Sequence, residues 1–175
     1  MHEKLSPTPN LVPLNLGPRE WAGDLDAAGL RFALVVSRFN GSLTAALASA
    51  AVERLRARGA AAGDIEIFRV PGAYEIPFVV DRIAANRPFD AIIALGCVIQ
   101  GETPHAALIN STVAAALSES ARRHAVPVID AVVPTLNVAQ AMARCAVGEN
   151  SRGAYAADAA VEMARLARRL RETAP

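Results

Sequence analysis

Apolar runs alternate with alanine-rich segments along most of the chain. Four of the runs are rich in β-branched residues and occupy residues 31–37, 64–70, 90–99 and 126–134. Each run is too continuously apolar for a sheet with one face in water. The pattern therefore predicts parallel strands that are covered on both faces.

The segments between and after these runs have apolar positions at helical spacing. They predict helices near residues 42–58, 74–86, 103–124 and 137–146 and a last long helix over residues 152–172. Alternating strands and helices imply right-handed crossovers, so we expect an α/β fold: a three-layer α/β/α sandwich around a flavodoxin-like, four-stranded parallel sheet. Ligands bind such sheets at the carboxyl ends of the strands, which makes the turns there the place to expect chemistry.

The first residues have a different character. Residues 1–20 contain four prolines and little periodicity, which predicts a flexible or extended N-terminal arm ahead of a single domain over residues 21–175. The prolines interrupt the apolar run that a signal peptide needs, and no stretch is long enough to span a bilayer. We therefore expect a cytoplasmic protein that does not bind membranes.

Composition and charge narrow the function. The chain is 53% hydrophobic and 20% charged, which is rather apolar for a small monomer and indicates that subunits bury part of the surface. The formal net charge of +1 offers no electrostatic basis for binding nucleic acid. Cys97 and Cys145 lack the spacing of a metal site or a secreted disulfide framework, so we expect no metal and a reducing compartment.

Candidate binding residues follow the first two strands. Phe39 and Asn40 stand in "SRFNGSL", where Phe39 can stack on a flat ring beside the donor and acceptor of Asn40, or pack as a core lid on the next helix. In "VPGAYEIPF", Pro71 and Gly72 predict a tight turn that brings the backbone up to a ligand. The Glu75 carboxylate either stabilises the helix start, by about 0.3–1 kcal/mol, or binds a ligand hydroxyl.

The turn after the third strand, "GCVIQGETPHAALI", carries the most chemistry. Thr103 is predicted as the N-cap and Pro104 as the first helical residue, since proline lacks the N–H that would be unsatisfied there. Free N–H groups near Gly101, Glu102 and Thr103 predict an anion site suited to a phosphate. His105 lies in the first helical turn, where the positive helix end disfavours the imidazolium form and leaves a base able to move protons near neutral pH. A purely structural His105 is equally open.

Arg144 lies on the short helix after the fourth strand. Its fork of donors matches two phosphate oxygens, although a solvated helix arginine would look the same in the sequence. A generic nucleotide-binding domain is not supported, because neither G-x-G-x-x-G nor a P-loop follows the first strand.

Taken together, these turns resemble one enzyme family. "SRFN", "VPGAYEIPF", "GCVIQGETPH" and "NSRGAYAADAAVEMA" lie in the order and near the spacing of the 6,7-dimethyl-8-ribityllumazine synthases of riboflavin biosynthesis, and the similarity runs from about residue 23 to the last helix. The resemblance implies condensation of 5-amino-6-(D-ribitylamino)uracil with 3,4-dihydroxy-2-butanone 4-phosphate. Phosphate and water would be released, without a cofactor or metal.

The resemblance also implies residue roles. His105 would transfer protons and Arg144 would clamp the phosphate from a neighbouring subunit. Main-chain N–H groups would hold that phosphate at Gly101, Glu102 and Thr103. The expected pyrimidine and ribityl contacts are Phe39, by stacking, and Asn40, Ala73, Tyr74, Glu75, Cys97, Val98, Ile99, Asp130 and Arg152.

Several positions depart from the family pattern. Gln100 stands where an arginine is common, Arg152 stands for a lysine, and "AALI" replaces the usual aromatic and acidic residues after the histidine. Asp130 takes the place of a phenylalanine that helps wall the pyrimidine site, and Pro134 replaces a threonine. If Asp130 faces the ligand, it weakens stacking or binds a ring N–H, so we expect an altered affinity for the pyrimidine.

Members of this family form pentamers with the active site between adjacent subunits, and some pentamers pack into sixty-subunit icosahedral shells. The resemblance implies a homo-pentamer. Residues 144–153 show no insertion against the shell-forming pattern, which favours the shell and makes an enclosed riboflavin synthase a candidate partner. The N-terminal arm would add a strand to a neighbour's sheet. The alternative is a non-catalytic lumazine- or flavin-binding or shell-forming protein of the same fold, which would need neither His105 nor Arg144.

Overall fold

The four apolar runs form one parallel sheet. The computed structural model describes residues 17, 19–148 and 151–173. Its strands are β1 (Phe32–Ser37), β2 (Ile65–Val70), β3 (Ala91–Ile99) and β4 (Val128–Thr135). They pair in parallel in the order β2-β1-β3-β4, which confirms the predicted flavodoxin-like, four-stranded sheet.

Helices cover both faces of this sheet. They are α1 (Gly41–Ala57), α2 (Ile76–Asn86), α3 (His105–His124), α4 (Val138–Cys145) and α5 (Arg152–Glu172), and 3-10 turns precede β2 (Ala62–Asp64) and α2 (Ala73–Glu75). Side chains of one core layer come from α1, α4 and α5, and those of the other from α2 and α3. The predicted three-layer α/β/α sandwich is therefore confirmed.

The central strand β1 shows why the sheet is covered twice. Its side chains alternate between the two core layers, with Leu34 and Val36 facing α1 and α5 and with Ala33 and Val35 facing α2 and α3. All four side chains are fully buried. Because these side chains are apolar on both faces of β1, neither face can be left in water, and each needs a helical layer.

The helix α3 begins later than predicted. Its N-cap is Pro104, whose carbonyl accepts hydrogen bonds from the N–H groups of Ala107 and Leu108, at 3.1 and 3.3 Å. The prediction of Thr103 as the N-cap and Pro104 as the first helical residue is wrong by one position. The shift lies in Pro104 itself, whose backbone angles, φ −71° and ψ 6°, fall outside the helical range, so that His105 is the first helical residue.

Helices α1 and α5 approach each other closely at Gly153. A Cβ atom built there would lie 2.1 Å from the Leu47 carbonyl oxygen. Further along α5, Asp158 is 2% exposed. Its Oδ1 accepts a hydrogen bond from Arg58 Nε at 2.8 Å, and its Oδ2 lies 3.6 Å from Arg54 Nη1. The absence of a side chain at Gly153 allows the close approach of the two helices. The two arginines leave no unpaired charge where Asp158 is buried.

Residues 1–16 and 18, which hold most of the predicted N-terminal arm, lie outside the described residues. Within the described ranges, no helix has both the length and the apolar character needed to cross a membrane.

Candidate active site

The turns after β1, β2 and β3 surround one cavity at the carboxyl end of the sheet. Its volume is about 460 Å³. The lining residues are Phe39, Gly72, Ala73, Tyr74, Glu75, Cys97, Val98, Ile99, Gly101, Thr103, His105, Ala106 and Ile109. Ten of them are site residues predicted from the turns or implied by the family resemblance. They meet here because parallel strands bring the turns that follow them to the same end of the sheet.

Ala106 and Ile109 line this cavity although neither is among the predicted site residues. They stand one and four positions after His105. Residues four apart share a helix face, so the position of His105 in a helix was the signal for Ile109.

Strand β3 reaches the cavity with main-chain groups. It pairs with β1 only as far as Leu95, but it pairs with β4 as far as Ile99. Its last residues therefore lack a strand partner on the β1 side, which is where the cavity lies. The Cys97 carbonyl on this stretch accepts a hydrogen bond from Asn40 Nδ2, at 2.9 Å, while Val98 and Ile99 are half-buried in the cavity wall.

Asn40 and Phe39 have different roles in the first turn. Asn40 adopts left-handed backbone angles, with φ at 56°, a conformation that asparagine tolerates better than most residues. Its amide ties the turn to Cys97, so Asn40 supports the cavity rather than lining it. The Phe39 side chain is 72% exposed at the cavity and does not serve as a core lid within this chain.

The second turn presents a carboxylate and an exposed aromatic ring. A Cβ at Gly72 would lie 3.0 Å from Glu75 Oε2, so the glycine lets the carboxylate approach the backbone of the turn. Glu75 occupies the N-cap position of α2 without a side-chain capping bond. Tyr74 is 62% exposed beside it. These side chains are free to contact a ligand in the cavity.

The third turn offers unpaired backbone donors. In the part of the chain that the structure describes, the N–H groups of Gly101, Glu102 and Thr103 donate no hydrogen bond to a protein acceptor. All three residues are exposed just before the start of α3. Free N–H groups at the positive end of a twenty-residue helix form a suitable anion site.

His105 is the first residue of α3 and lies between this loop and the cavity. Its side chain is exposed, and no described residue forms a hydrogen bond or an ion pair with the imidazole. A histidine used only for structure is normally held by a protein partner. The ring therefore keeps both nitrogens available for a ligand.

The Cys97 thiol is not available for chemistry in the same way. Its side chain is 2% exposed and accepts a hydrogen bond from the Cys145 thiol of α4. That bond lowers the pKa of Cys97, whereas burial opposes the shift. The bond and burial both raise the pKa of Cys145, which therefore stays protonated. Cys97 reaches the cavity mainly through its backbone.

Asp130, Arg144 and Arg152 line a different cavity, of about 200 Å³, on the outer side of β4 and at the start of α5. Asp130 is exposed to solvent, but partial desolvation by the walls of this recess raises its pKa, and the hydrogen bond from the Val132 N–H at 2.9 Å partly offsets the shift. Arg144 Nη1 donates to the Pro134 carbonyl, at 3.3 Å. Within one chain, the predicted site residues thus fall into two separate groups.

The described residues do not form a cluster of metal ligands. In residues 17, 19–148 and 151–173, no set of three or more histidine, cysteine or acidic side chains is placed to hold a metal ion. The donors described above are suited to organic and phosphate groups instead.

A helix-covered parallel sheet with a cavity beyond the strand ends defines an α/β protein with a ligand site at the carboxyl edge of its sheet. The family model described as 6,7-dimethyl-8-ribityllumazine synthase matches residues 29–168. This chain belongs to the 6,7-dimethyl-8-ribityllumazine synthase family, which confirms the resemblance carried by the four motifs.

Proteins that bear the same name in three bacteria are similar to the chain over most of its length. The Clostridium kluyveri protein is 40% identical over 150 residues, which cover 86% of this chain and 97% of the relative. The Desulfotalea psychrophila protein is 39% identical over 144 residues, covering 82% and 93%. The Anaeromyxobacter dehalogenans protein is 39% identical over 148 residues, covering 85% and 91%.

Proposed function

We propose that the protein condenses 5-amino-6-(D-ribitylamino)uracil with 3,4-dihydroxy-2-butanone 4-phosphate to give 6,7-dimethyl-8-ribityllumazine, phosphate and water. Family membership supports this function. The observation that carries it is the single cavity that joins an exposed Phe39, the Glu75 carboxylate, the free N–H groups before α3 and His105. One substrate has a flat ring and the other a phosphate, and the cavity offers a partner for each.

The pyrimidine substrate fits the wall built by β1, β2 and β3. Phe39 stacks on its ring, and Tyr74 and Glu75 face the polar ribityl and uracil groups. The unpaired main-chain edge at Val98 and Ile99 supplies further hydrogen bonds to the substrate. Ala73 and the Cys97 backbone complete this wall, and Asn40 holds its turn in place.

The phosphate of the second substrate binds at the start of α3. The N–H groups at Gly101, Glu102 and Thr103 are free to donate to its oxygens, and the helix end attracts its charge. This arrangement places the leaving group next to His105. Phosphate is then eliminated in the same cavity as His105, which can donate and accept protons.

His105 acts as the proton-transfer residue. The amine of the pyrimidine attacks the ketone and water is lost, and phosphate leaves after a proton is removed from carbon. The second amine then attacks the remaining carbonyl, and a second water is lost as the ring closes. Each step moves a proton, and none requires a nucleophile from the protein. Holding two substrates side by side lowers the activation barrier further, by several kcal/mol in order of magnitude. Because no protein nucleophile is needed, the buried Cys97 thiol takes no part in the reaction.

A direct assay tests this function. Purified protein is mixed with both substrates, and formation of the fluorescent lumazine is followed with time. Product should appear only when both substrates are present, with phosphate released in equal amount. Absence of product from the correctly folded, fully assembled protein would contradict the proposed activity and favour a non-catalytic protein of the same fold.

The assembly we propose is a homo-pentamer in the cytoplasm. The support is that Arg144, Arg152 and Asp130 do not line the first cavity of their own chain, where residues 101–103 form the phosphate loop. A neighbour that brings Arg144, Arg152 and Asp130 to the first cavity completes the site. Exposed apolar side chains such as Phe78 and Leu136 provide surface for that contact.

The larger assembly we propose is the sixty-subunit shell, with an enclosed riboflavin synthase as its candidate partner. Static light scattering of the purified protein distinguishes the mass of five subunits from that of sixty. A monomer at assay concentration would contradict both assemblies.

Arg144→Gln should raise the Michaelis constant for the butanone phosphate about ten- to hundredfold, because a charged hydrogen bond to the phosphate is lost. The Michaelis constant for the pyrimidine should stay near the wild-type value. Steady-state kinetics with each substrate varied in turn provides the measurement. Arg122→Gln, on the exposed end of α3 where Arg122 pairs with Glu119, is the matched control. Weaker binding of the pyrimidine alone would show that Arg144 has another role.

Asp130→Phe should change the Michaelis constant for the pyrimidine severalfold. The substitution replaces a recessed carboxylate by an aromatic ring, so it exchanges hydrogen bonding for stacking on the flat substrate. Asp130→Asn is the matched control, because an amide oxygen can still accept from the Val132 N–H. If the pyrimidine constant in the phenylalanine variant equals that of the wild type, Asp130 does not face this substrate.

A further inference from the structure

The phosphate loop is held by one side chain. Gln100 Nε2 donates to the Gly101 carbonyl, at 2.8 Å, and to the Thr103 carbonyl, at 2.6 Å. The Gln100 N–H in turn donates to the Thr135 carbonyl of β4, at 2.8 Å. A single residue anchored in the sheet therefore spans the loop between β3 and α3.

The orientation of the Gln100 amide follows from its partners. Both partners are carbonyl oxygens, which only accept, so the amide nitrogen must face them. Because the peptide bond is trans and planar, a Gly101 carbonyl turned toward Gln100 points the Glu102 N–H to the opposite side. The bond to the Thr103 carbonyl holds the peptide that leads into Pro104 and the first turn of α3.

The side chain of Gln100 reaches the loop from outside the cavity. It lines a neighbouring recess with Arg144 and with Ala106, which also lines the cavity, whereas Gly101 and Thr103 line the cavity alone. Packing does little to hold the loop at its first residue, since a Cβ built at Gly101 would meet nothing within 4 Å. Among the described residues, the two hydrogen bonds from Gln100 are the only ones that a side chain donates to this loop.

We propose that Gln100 is a positioning residue that holds the loop in the conformation that binds the substrate phosphate. This inference rests on the proposed function of the loop. A loop without the restraint must lose its conformational freedom at the moment of binding, which weakens the complex. Gln100 does not touch the substrate, so its loss affects phosphate binding more than the chemical step.

Gln100→Met is the variant that tests this inference, because methionine has a similar length and no charge but cannot donate. We expect the Michaelis constant for the butanone phosphate to rise about tenfold, in keeping with loss of a preformed site. The turnover number and the pyrimidine constant should change by less than about twofold. Gln100→Asn, whose shorter amide cannot span both carbonyls, should give an intermediate rise and serves as a second variant.

Gln140→Met is the matched control. Gln140 lines the same recess, but its amide accepts from the Leu136 N–H and does not bond to the phosphate loop. Its kinetic constants should stay within about twofold of the wild type. An unchanged phosphate constant in Gln100→Met, or an equal rise in both substrate constants, would overturn the inference.

Inorganic phosphate provides a readout that needs no turnover. It should raise the midpoint of thermal unfolding of the wild type and of Gln140→Met, and it should raise that of Gln100→Met much less at the same concentration. An equal phosphate-dependent shift in Gln100→Met would also overturn the inference. This measurement decides the role of Gln100 even where the wild type forms no lumazine, an outcome that would refute the proposed function alone.

Discussion

His105→Ala should lower the turnover number by about ten- to a thousandfold, the range typical of a lost general acid–base group. The imidazole is exposed to the cavity and has no partner among the described residues, so its removal leaves the surrounding structure intact. Product formation at saturating concentrations of both substrates gives the turnover number. The Michaelis constants should change much less, since the stacking wall and the phosphate loop stay in place.

The same helix provides a matched control for His105. His124 is the last residue of α3, where its Nε2 lies 2.9 Å from Asp81 Oδ1, away from the cavity. His124→Ala should leave turnover within about twofold of the wild type. A loss smaller than about twofold in His105→Ala would show that the histidine is dispensable and that another group moves the protons.

Gly153→Ala should lower the free energy of unfolding by about 3 kcal/mol, which is the upper range for a forced overpacking. The added Cβ would meet the Leu47 carbonyl oxygen at 2.1 Å and the Leu47 carbonyl carbon at 2.9 Å. Both are backbone atoms inside α1, so they cannot move aside as the end of a flexible side chain would. Relief requires α1 and α5 to separate along their contact.

Denaturant unfolding at one fixed protein concentration measures this effect, since assembly makes apparent stability depend on concentration. Gly63→Ala is the matched control. A Cβ at Gly63 meets nothing within 4 Å, so its free energy of unfolding should stay within about 0.5 kcal/mol of the wild type. Equal stability of the Gly153 and Gly63 variants would mean that α5 shifts at little cost.

Much of the fold could be predicted because its signals are local. Each strand is a continuous apolar run bounded by turn residues, and the last helix, Arg152–Glu172, matches its predicted range at both ends. Three of the four site motifs follow strands of one parallel sheet, and parallel topology alone brings such turns together. Phe39, Glu75 and His105 could therefore be named from these turns, whereas Ala73, Cys97, Val98 and Ile99 were implied by the family resemblance, and Ala106 and Ile109 were missed.

The sequence alone could not decide features that depend on contacts between distant residues. Whether Phe39 packs in the core or faces the cavity depends on where α1 lies against β1, and the structure leaves the ring exposed. The support from Asn40 crosses from one strand end to another, 57 positions away. The start of α3 was misjudged by one position because Pro104 adopts non-helical backbone angles, φ −71° and ψ 6°, and not those of a first helical residue.

The sequence by itself determined the strands, the helices, the layer order and the turns that carry chemistry, because these follow from periodicity and from local backbone preferences. Only the tertiary structure separated Arg144, Asp130 and Arg152 from the first cavity, placed Gln100 behind the phosphate loop and brought Gly153 against α1. Each of these depends on the distance between groups on different elements. Such distances are set by how whole layers pack, and no short stretch of sequence contains that information.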